Sequence, residues 1–403
     1  LLSSCLRLQF SVESNFAKDA KSSSCIYGVY RNRIFDECIG AINSNSASGI
    51  HGALLALKSI LKLSEKDKKF VIFHNNYLNL LEILMKLIHS KDILLRSASI
   101  EFIPLLSERD IFVETNLKDW IQFLIESIKK EKDRNASLKA LSSTIDSIDA
   151  KSIEPFLDPL TGTLKLVFQL KGKHRDLNDL NAALSCACSI ANTCGSMSQR
   201  FLLQLFPSIT NSGLWPELIE NLVLITRAIP AIFFFIEDSL MKEIKKFTTD
   251  SQSTVEELVV AINCLGNFEY TESILTTPLG RKLTNVFLNH SSPLVRCVSA
   301  ETILKLCLTF EKSPMSPEPN WISRSFVSAV LTRMVADEDS RVPERILSEL
   351  KSNQGIECDS LLAHADCIRP LFIFLTSNNA PINLRIECAD ILSRISHINF
   401  SPC

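Results

Sequence analysis

Glycine is scarce in this sequence, 11 of 403 residues, and proline contributes only 15. Few glycines leave few places where the backbone can take positive φ or bring its N–H groups close to a phosphate. Neither G-x-x-x-x-G-K-[ST] nor G-x-G-x-x-G occurs, which removes the usual nucleotide cradles. D-F-G, which brings a magnesium ligand to a protein-kinase site, is missing as well. An excess of either charge is also lacking: 43 Lys and Arg against 45 Asp and Glu give a formal net charge of -2. Such a chain has no global field to draw in nucleic acid or an anionic membrane. Its most apolar run, Ile229 to Ile236, falls far short of the roughly 20 residues that span a bilayer, so no transmembrane segment is expected.

What is present is a globular composition, 46% hydrophobic and 22% charged. At 403 residues the chain exceeds the roughly 250 to 300 at which one compact core stops growing, so several domains or a repeat array is required. Thirteen cysteines form an odd set without regular spacing, which fits reduced, intracellular thiols better than a disulfide framework. The sequence opens on LLSSCLRLQF without an initiator Met, and a fragment, cut there and also at Cys403, is the expectation.

Hydrophobic periodicity is helical almost throughout. Val255, Leu258, Val259, Ile262 and Leu265 line one face of a 3.6-residue helix, with Ser253 and Glu256 as a capping box and Gly266-Asn267 as a stop. Trp120, Phe123, Leu124 and Ile128 form a second stripe, and Leu138, Leu141, Ile145 and Ile148 a third. Extended along the chain, this pattern gives about 16 to 18 helices of about 12 to 20 residues joined by short polar turns. Helix pairs that cannot bury their apolar faces alone must stack on their neighbours.

Repeat spacing agrees. SPLVRCVSAETILKL, DSRVPERILSEL and APINLRIECADILSRI share a polar turn, an apolar residue and then Arg or Pro. Aligning Arg296, Pro343 and Arg385 gives steps of 47 and 42 residues, the range of HEAT and armadillo repeats. KDILLRSASIEFIPLL, around Arg96, has the same form, with Asp92 placed to neutralise the arginine. Pro343 departs from the pattern but is tolerated in a first helical turn. The expected fold is therefore all-α, an α-solenoid of HEAT/armadillo-like repeats over residues 1–403, with loops near 43–49 and 311–320. The second loop offers Ser313 and Ser316 to a proline-directed kinase, although an ordinary connection is the plainer reading.

Candidate chemistry is thin. Cys186, Cys188 and Cys194 with His174 are the one metal-like grouping, yet residues two apart on a helix point about 200° away from each other and cannot share a tetrahedral zinc. His51 and His364 lack a nucleophile setting. No catalytic residue, metal or cofactor is expected. The remaining feature is the charge run in IKKEKDRNASLKAL, where Lys129, Lys130, Lys132 and Arg134 make a basic cluster interrupted by Glu131 and Asp133. Without interleaved aromatics, nucleic-acid binding is the least favoured use. A solvated turn, with Asn135 or Asp133 as helix cap, or a protein-binding site remains.

The longer stretch IKKEKDRNASLKALSSTIDSI resembles a segment of the TOR (target of rapamycin) kinases, in which a Lys-Lys-Glu-Lys-acidic-Arg turn leads into an Ala- and Leu-rich helix. GIHGALLALKSIL (Gly49 to Leu61), AINCLGNFEY (Ala261 to Tyr270) and NLRIECADILSRIS (Asn383 to Ser396) resemble further segments of the same family's N-terminal HEAT region. The resemblance implies a non-catalytic scaffold arm that precedes the FAT, rapamycin-binding and kinase regions, organises a dimeric complex and contacts companion subunits such as Raptor. It also implies a cytoplasmic location, with peripheral attachment to endomembranes through the complex as an option. An independent HEAT adaptor for transport or assembly is the alternative.

Overall fold

The computed structural model describes residues 37–42, 46–64, 74–104, 117–250, 252–271, 273–310, 320–353 and 355–396. Every regular element among them is helical. They group into two compact units divided between Ser212 and Gly213, a point at which the sequence pattern shows no change.

The first unit comprises α1 (Ala47–Ser64), α2 (His74–Leu87), α3 (Ile93–Phe102), α4 (Leu117–Ile128), α5 (Arg134–Asp146), α6 (Leu157–Phe168), α7 (Leu177–Cys194) and α8 (Gln199–Asn211). In one layer α1 packs on α3, α3 on α5 and α5 on α7. In the other, α4 packs on α6 and α6 on α8. The stripe on α4 shows why. Leu117, Trp120, Ile121, Leu124, Ile125 and Ile128 are all buried, and each such side chain contributes roughly 1.5–3 kcal/mol when removed from water. Trp120 also donates its indole N–H to Thr144 Oγ1 on α5 at 3.2 Å, so its one polar atom is satisfied in the core. Between α5 and α7 the contact is close because α7 presents small residues, among them Ala183, Cys186 and Ala187, all fully buried. Ser142 and Ser189 then meet at 2.8 Å across the seam.

The second unit comprises α9 (Leu218–Ala228), α10 (Phe233–Thr249), α11 (Val255–Gly266), α12 (Pro278–Lys282, continuing as a π-helical turn through Leu283–Phe287), α13 (Pro293–Phe310), α14 (Asn320–Ala336), α15 (Arg341–Ser352), α16 (Ile356–Leu362), α17 (Ala365–Thr376) and α18 (Ile382–Ser396). Here α11, α13, α15 and α18 stack in sequence, with α14 against α17 in the other layer. The segments marked by Arg96, Arg296, Pro343 and Arg385 open α3, α13, α15 and α18, so each begins the second helix of a pair. Pro343 is the third residue of α15, where the missing N–H has no intrahelical partner to lose.

Several boundaries differ from expectation. The capping box of α11 is Thr254 with Glu257, one residue later than Ser253 with Glu256. Thr254 Oγ1 accepts the Glu257 N–H at 3.2 Å, and Glu257 Oε2 accepts the Thr254 N–H at 2.9 Å. Both pairs fit the same spacing, and only the backbone distinguishes them. The polar break expected at 43–49 is shorter, since α1 already begins at Ala47; residues 43–45 lie outside the described set. So do residues 311–319 of the other loop, with Ser313 and Ser316. Among the described residues no single helix is long and apolar enough to cross a membrane.

Two glycines set close approaches. A Cβ on Gly266 would sit 2.8 Å from Thr302 Oγ1 on α13, which is how the stop after α11 also fixes repeat packing. At Gly280 a Cβ would fall 2.6 Å from the Leu275 carbonyl oxygen and 2.7 Å from Leu275 Cα. Backbone cannot yield as a side chain can, so Gly280→Ala is expected to cost about 1–3 kcal/mol. Chemical denaturation of the purified chain checks this, and an unchanged midpoint would contradict the packing described.

Candidate functional site

The charge run lies between α4 and α5, and its residues divide sharply. Lys129, Lys130, Glu131 and Lys132 are exposed, whereas Asp133 is 3% and Arg134 7% exposed. Asp133 does not cap α5 with its side chain. Its carboxylate instead receives Arg96 from the preceding repeat, with Nε 2.8 and 2.9 Å from the two oxygens and Nη2 also at 2.8 Å. Asp92, expected to neutralise Arg96, is the N-cap of α3 and accepts the N–H groups of Leu94 and Leu95.

Arg134 repeats the arrangement one step along. Its Nε donates to the Ile128 carbonyl at 3.1 Å, its Nη1 to Asp179 at 3.2 Å, and Asn135 adds a bond to the same carboxylate at 3.3 Å. In the second unit Arg296 donates to both oxygens of Asp337 at 2.7 and 2.8 Å, and to the carbonyl of His290 at 2.9 Å. Each arginine thus closes its own turn through a carbonyl six residues back, Ser90, Ile128 or His290. Each also reaches a carboxylate 37, 45 or 41 residues ahead. A planar fork with donors on two sides suits this double task, and lysine would not supply it.

Burial raises the cost of charge at Asp337, but hydrogen bonds from Arg296, the Asp339 amide and Arg333 hold its carboxyl below the ordinary range. Glu301 is held low in the same way, against its burial, by Arg345 and Lys305. Arg394 on α18 is paired with Asp359 at 2.7 Å. By contrast, Arg385 has its Nε buried without a hydrogen-bond partner among the described residues.

Arg134 is therefore part of the fold's internal bracing, and the exposed basic cluster reduces to Lys129, Lys130 and Lys132. Lys129 pairs with Glu126 at 2.8 Å, with both side chains about half exposed. Exposed pairs are worth only about 0–1 kcal/mol, so reversing Lys129, Lys130 and Lys132 to Glu together should shift stability by less than about 1 kcal/mol. Arg134→Glu, which sets a second buried acid against Asp179, is expected to cost several-fold more. Equal denaturation midpoints for the two variants would contradict this division.

The other candidates are structural in their surroundings. Cys186 and Cys188 are buried, and burial, with Asp146 nearby, pushes the Cys188 thiol up to about 12. His174 is exposed, in the turn before α7, with Nδ1 3.6 Å from Glu131 Oε1. Cys194 is the last residue of the same helix, about 25 Å away at 1.5 Å per residue. Among the described residues no group of three His, Cys, Asp or Glu side chains is placed to hold a metal ion. His364 caps α17, accepting the Asp366 N–H at 3.5 Å, and His51 lies within α1.

The expected absence of protein-kinase strings, H-R-D and D-F-G, has an exception in the first of them. His174 to Asn181 reads H-R-D-L-x-x-x-N, the residue order of a protein-kinase catalytic loop. Its context here is a helix start: Asp176 accepts the Asn178 N–H at 2.8 Å as N-cap of α7, and Arg175 donates to the Ser212 carbonyl at 2.7 Å. The acid that would serve as base is occupied in capping, so the string marks a turn.

Comparison with known proteins adds the following. No protein-family model matches the chain. It is 22% identical, over 405 aligned positions, to the serine/threonine-protein kinase TOR of Arabidopsis thaliana, covering 91% of this chain and 16% of that protein. The chain thus spans about a sixth of the length of the curated relative it matches. Importin beta, solved in ammonium sulfate and in polyethylene glycol, superimposes with TM-scores of 0.51 and 0.52 at 10% and 12% identity. Those matches cover 91% of this chain and 47% and 49% of the solved chains. At such identity the likeness concerns the fold alone, and with the stacked helix pairs it makes this chain a HEAT-repeat α-solenoid.

Proposed function

We propose that this chain is a non-catalytic scaffold segment of a TOR-type kinase, serving to position companion proteins in a dimeric complex. The observation that carries the reading is the likeness to the Arabidopsis kinase, sustained over 91% of the chain. A stack of helical repeats suits the role, because it offers a long surface whose turns are free to vary while the helix faces hold the fold. Companion subunits such as Raptor are the partners this reading names, the exposed lysines of the turn between α4 and α5 are the proposed contact, and a cytoplasmic location goes with it.

Antibodies raised against the purified chain provide the test. They should capture from source cells a polypeptide whose mass-spectrometric peptide map continues from this sequence into kinase-motif peptides, together with companion subunits. Capture of a polypeptide whose map contains no kinase region would overturn the TOR reading and favour an independent adaptor.

A further inference from the structure

The turn carrying the three lysines is one of a row. Arg96, just after the turn at 89–92, reaches Asp133, and Arg134 reaches Asp179, just after the turn at 169–176. His174 stands 3.6 Å from Glu131. Three successive inter-helix turns are thereby held side by side along one edge of the first unit, at steps of about 10 Å set by helix packing.

Along this edge the acids are engaged except Glu131, which is exposed and has only His174 beside it. Asp92 and Asp176 cap α3 and α7, Asp133 and Asp179 receive Arg96 and Arg134, and Glu126 holds Lys129. Lys91, Lys130, Lys132 and Lys171 are exposed, and no carboxylate among the described residues pairs with them. Beside the first and third turns, Leu94 and Leu177 are 65% and 49% exposed.

We propose that this edge binds an acidic, leucine-containing segment of a partner polypeptide, laid across the three turns so that its carboxylates meet Lys91, Lys130 with Lys132, and Lys171. Two steps of about 10 Å require six or seven extended residues at about 3.3 Å each. A lipid surface or nucleic acid fits less well. The chain as a whole carries a net charge of -2, which gives no long-range attraction, and the three turns contain no Phe, Tyr or Trp to stack on bases. Discrete cations at repeat spacing suit carboxylates at fixed intervals instead. The inference rests on the scaffold reading and is independent of kinship with TOR.

Fluorescence anisotropy with the full chain tests it, using a fluorescein-labelled peptide of about a dozen residues composed of Glu with Leu at every third position. Saturable binding that weakens with added salt is expected. Lys130→Glu/Lys132→Glu/Lys171→Glu should weaken it about tenfold or more, the corresponding Arg substitutions should retain it, and Leu94→Ser/Leu177→Ser should weaken it without changing its salt dependence. Reversing three exposed lysines elsewhere, Lys118, Lys245 and Lys351, controls for net charge and should leave binding within about twofold. Absence of saturable binding, equal loss in the control, or tighter lysine-dependent binding to phosphatidylserine vesicles or to a uridine oligonucleotide would overturn the proposal. Any of these would leave the scaffold reading to the antibody experiment.

Discussion

Asp337→Ala is expected to melt the repeat around it. The Asp337 side chain is fully buried and is shared by Arg296, 10% exposed, and Arg333, 25% exposed. Removing it leaves the Arg296 guanidinium hydrogen-bonded only to the His290 and Ser291 carbonyls, with Asp339 a nearby charge but not a hydrogen-bond partner. Breaking a buried pair from one side costs about 3–5 kcal/mol, a large part of the roughly 5–15 kcal/mol that stabilises a typical domain. In a repeat array the loss is local, so amide exchange in α13, α14 and α15 should accelerate by about a hundred- to several-thousand-fold. The linkage has a definite sign. Because the folded carboxyl of Asp337 is held low, its stabilisation is present above the ordinary carboxylate range near about 4 and disappears as pH falls through the folded value. The variant should lack that part of the acid dependence. Exchange unchanged in these helices would contradict the bracing.

How far the sequence reveals this depends on the range of each interaction. Arg96, Arg296 and Arg385 are visible because their helices repeat a local pattern, and the stripe from Trp120 to Ile128 is visible because helical burial recurs every three to four residues. The carboxylates that meet the arginines are not visible in the same way. Asp92 stands at the right local spacing for Arg96 but is held by two backbone N–H groups, while Asp133 arrives from the next repeat, 37 residues on. A one-residue ambiguity, as between Ser253 and Thr254, is likewise decided by backbone geometry that spacing does not encode. The candidate site follows the same rule: three lysines of the charge run stay in solvent, but Arg134, adjacent in sequence, is drawn inward by Asp179, 45 residues away. The basic turn at 169–176 had a signal in the sequence, a second cluster of cations about one repeat after the first.

The second large effect is expected from Leu141→Asp. Leu141 is fully buried in α5, the helix that packs on α3, α4 and α7. Its loss removes roughly 2–5 kcal/mol of burial and packing, as a truncation to alanine would. The aspartate adds the cost of an unpaired carboxyl in an apolar site, which it lowers only by taking up a proton. Together these are a large part of the roughly 5–15 kcal/mol that stabilises a typical domain. Far-UV circular dichroism should show lost helix, and exchange should become rapid across α3 to α7, whereas Lys139→Glu, on the exposed face of the same helix, should change neither. A folded Leu141→Asp chain with native exchange in α5 would show that this residue does not lie in the core.

The most direct measurement of the central claim, that consecutive repeats are locked by arginine–carboxylate pairs crossing between them, is a double-mutant cycle at Arg96 and Asp133 read by hydrogen exchange. Asp133→Leu alone strands a largely buried guanidinium and should speed exchange in both α3 and α5 by about a hundredfold or more. Arg96→Met alone should do so comparably, because it strands a carboxylate that is 4% exposed. Combining them replaces the pair by apolar side chains of similar size, which is often close to neutral, and should return both helices towards the native rate. If the two effects simply add in the double variant, the pair does not couple the repeats, and the locking described here is wrong.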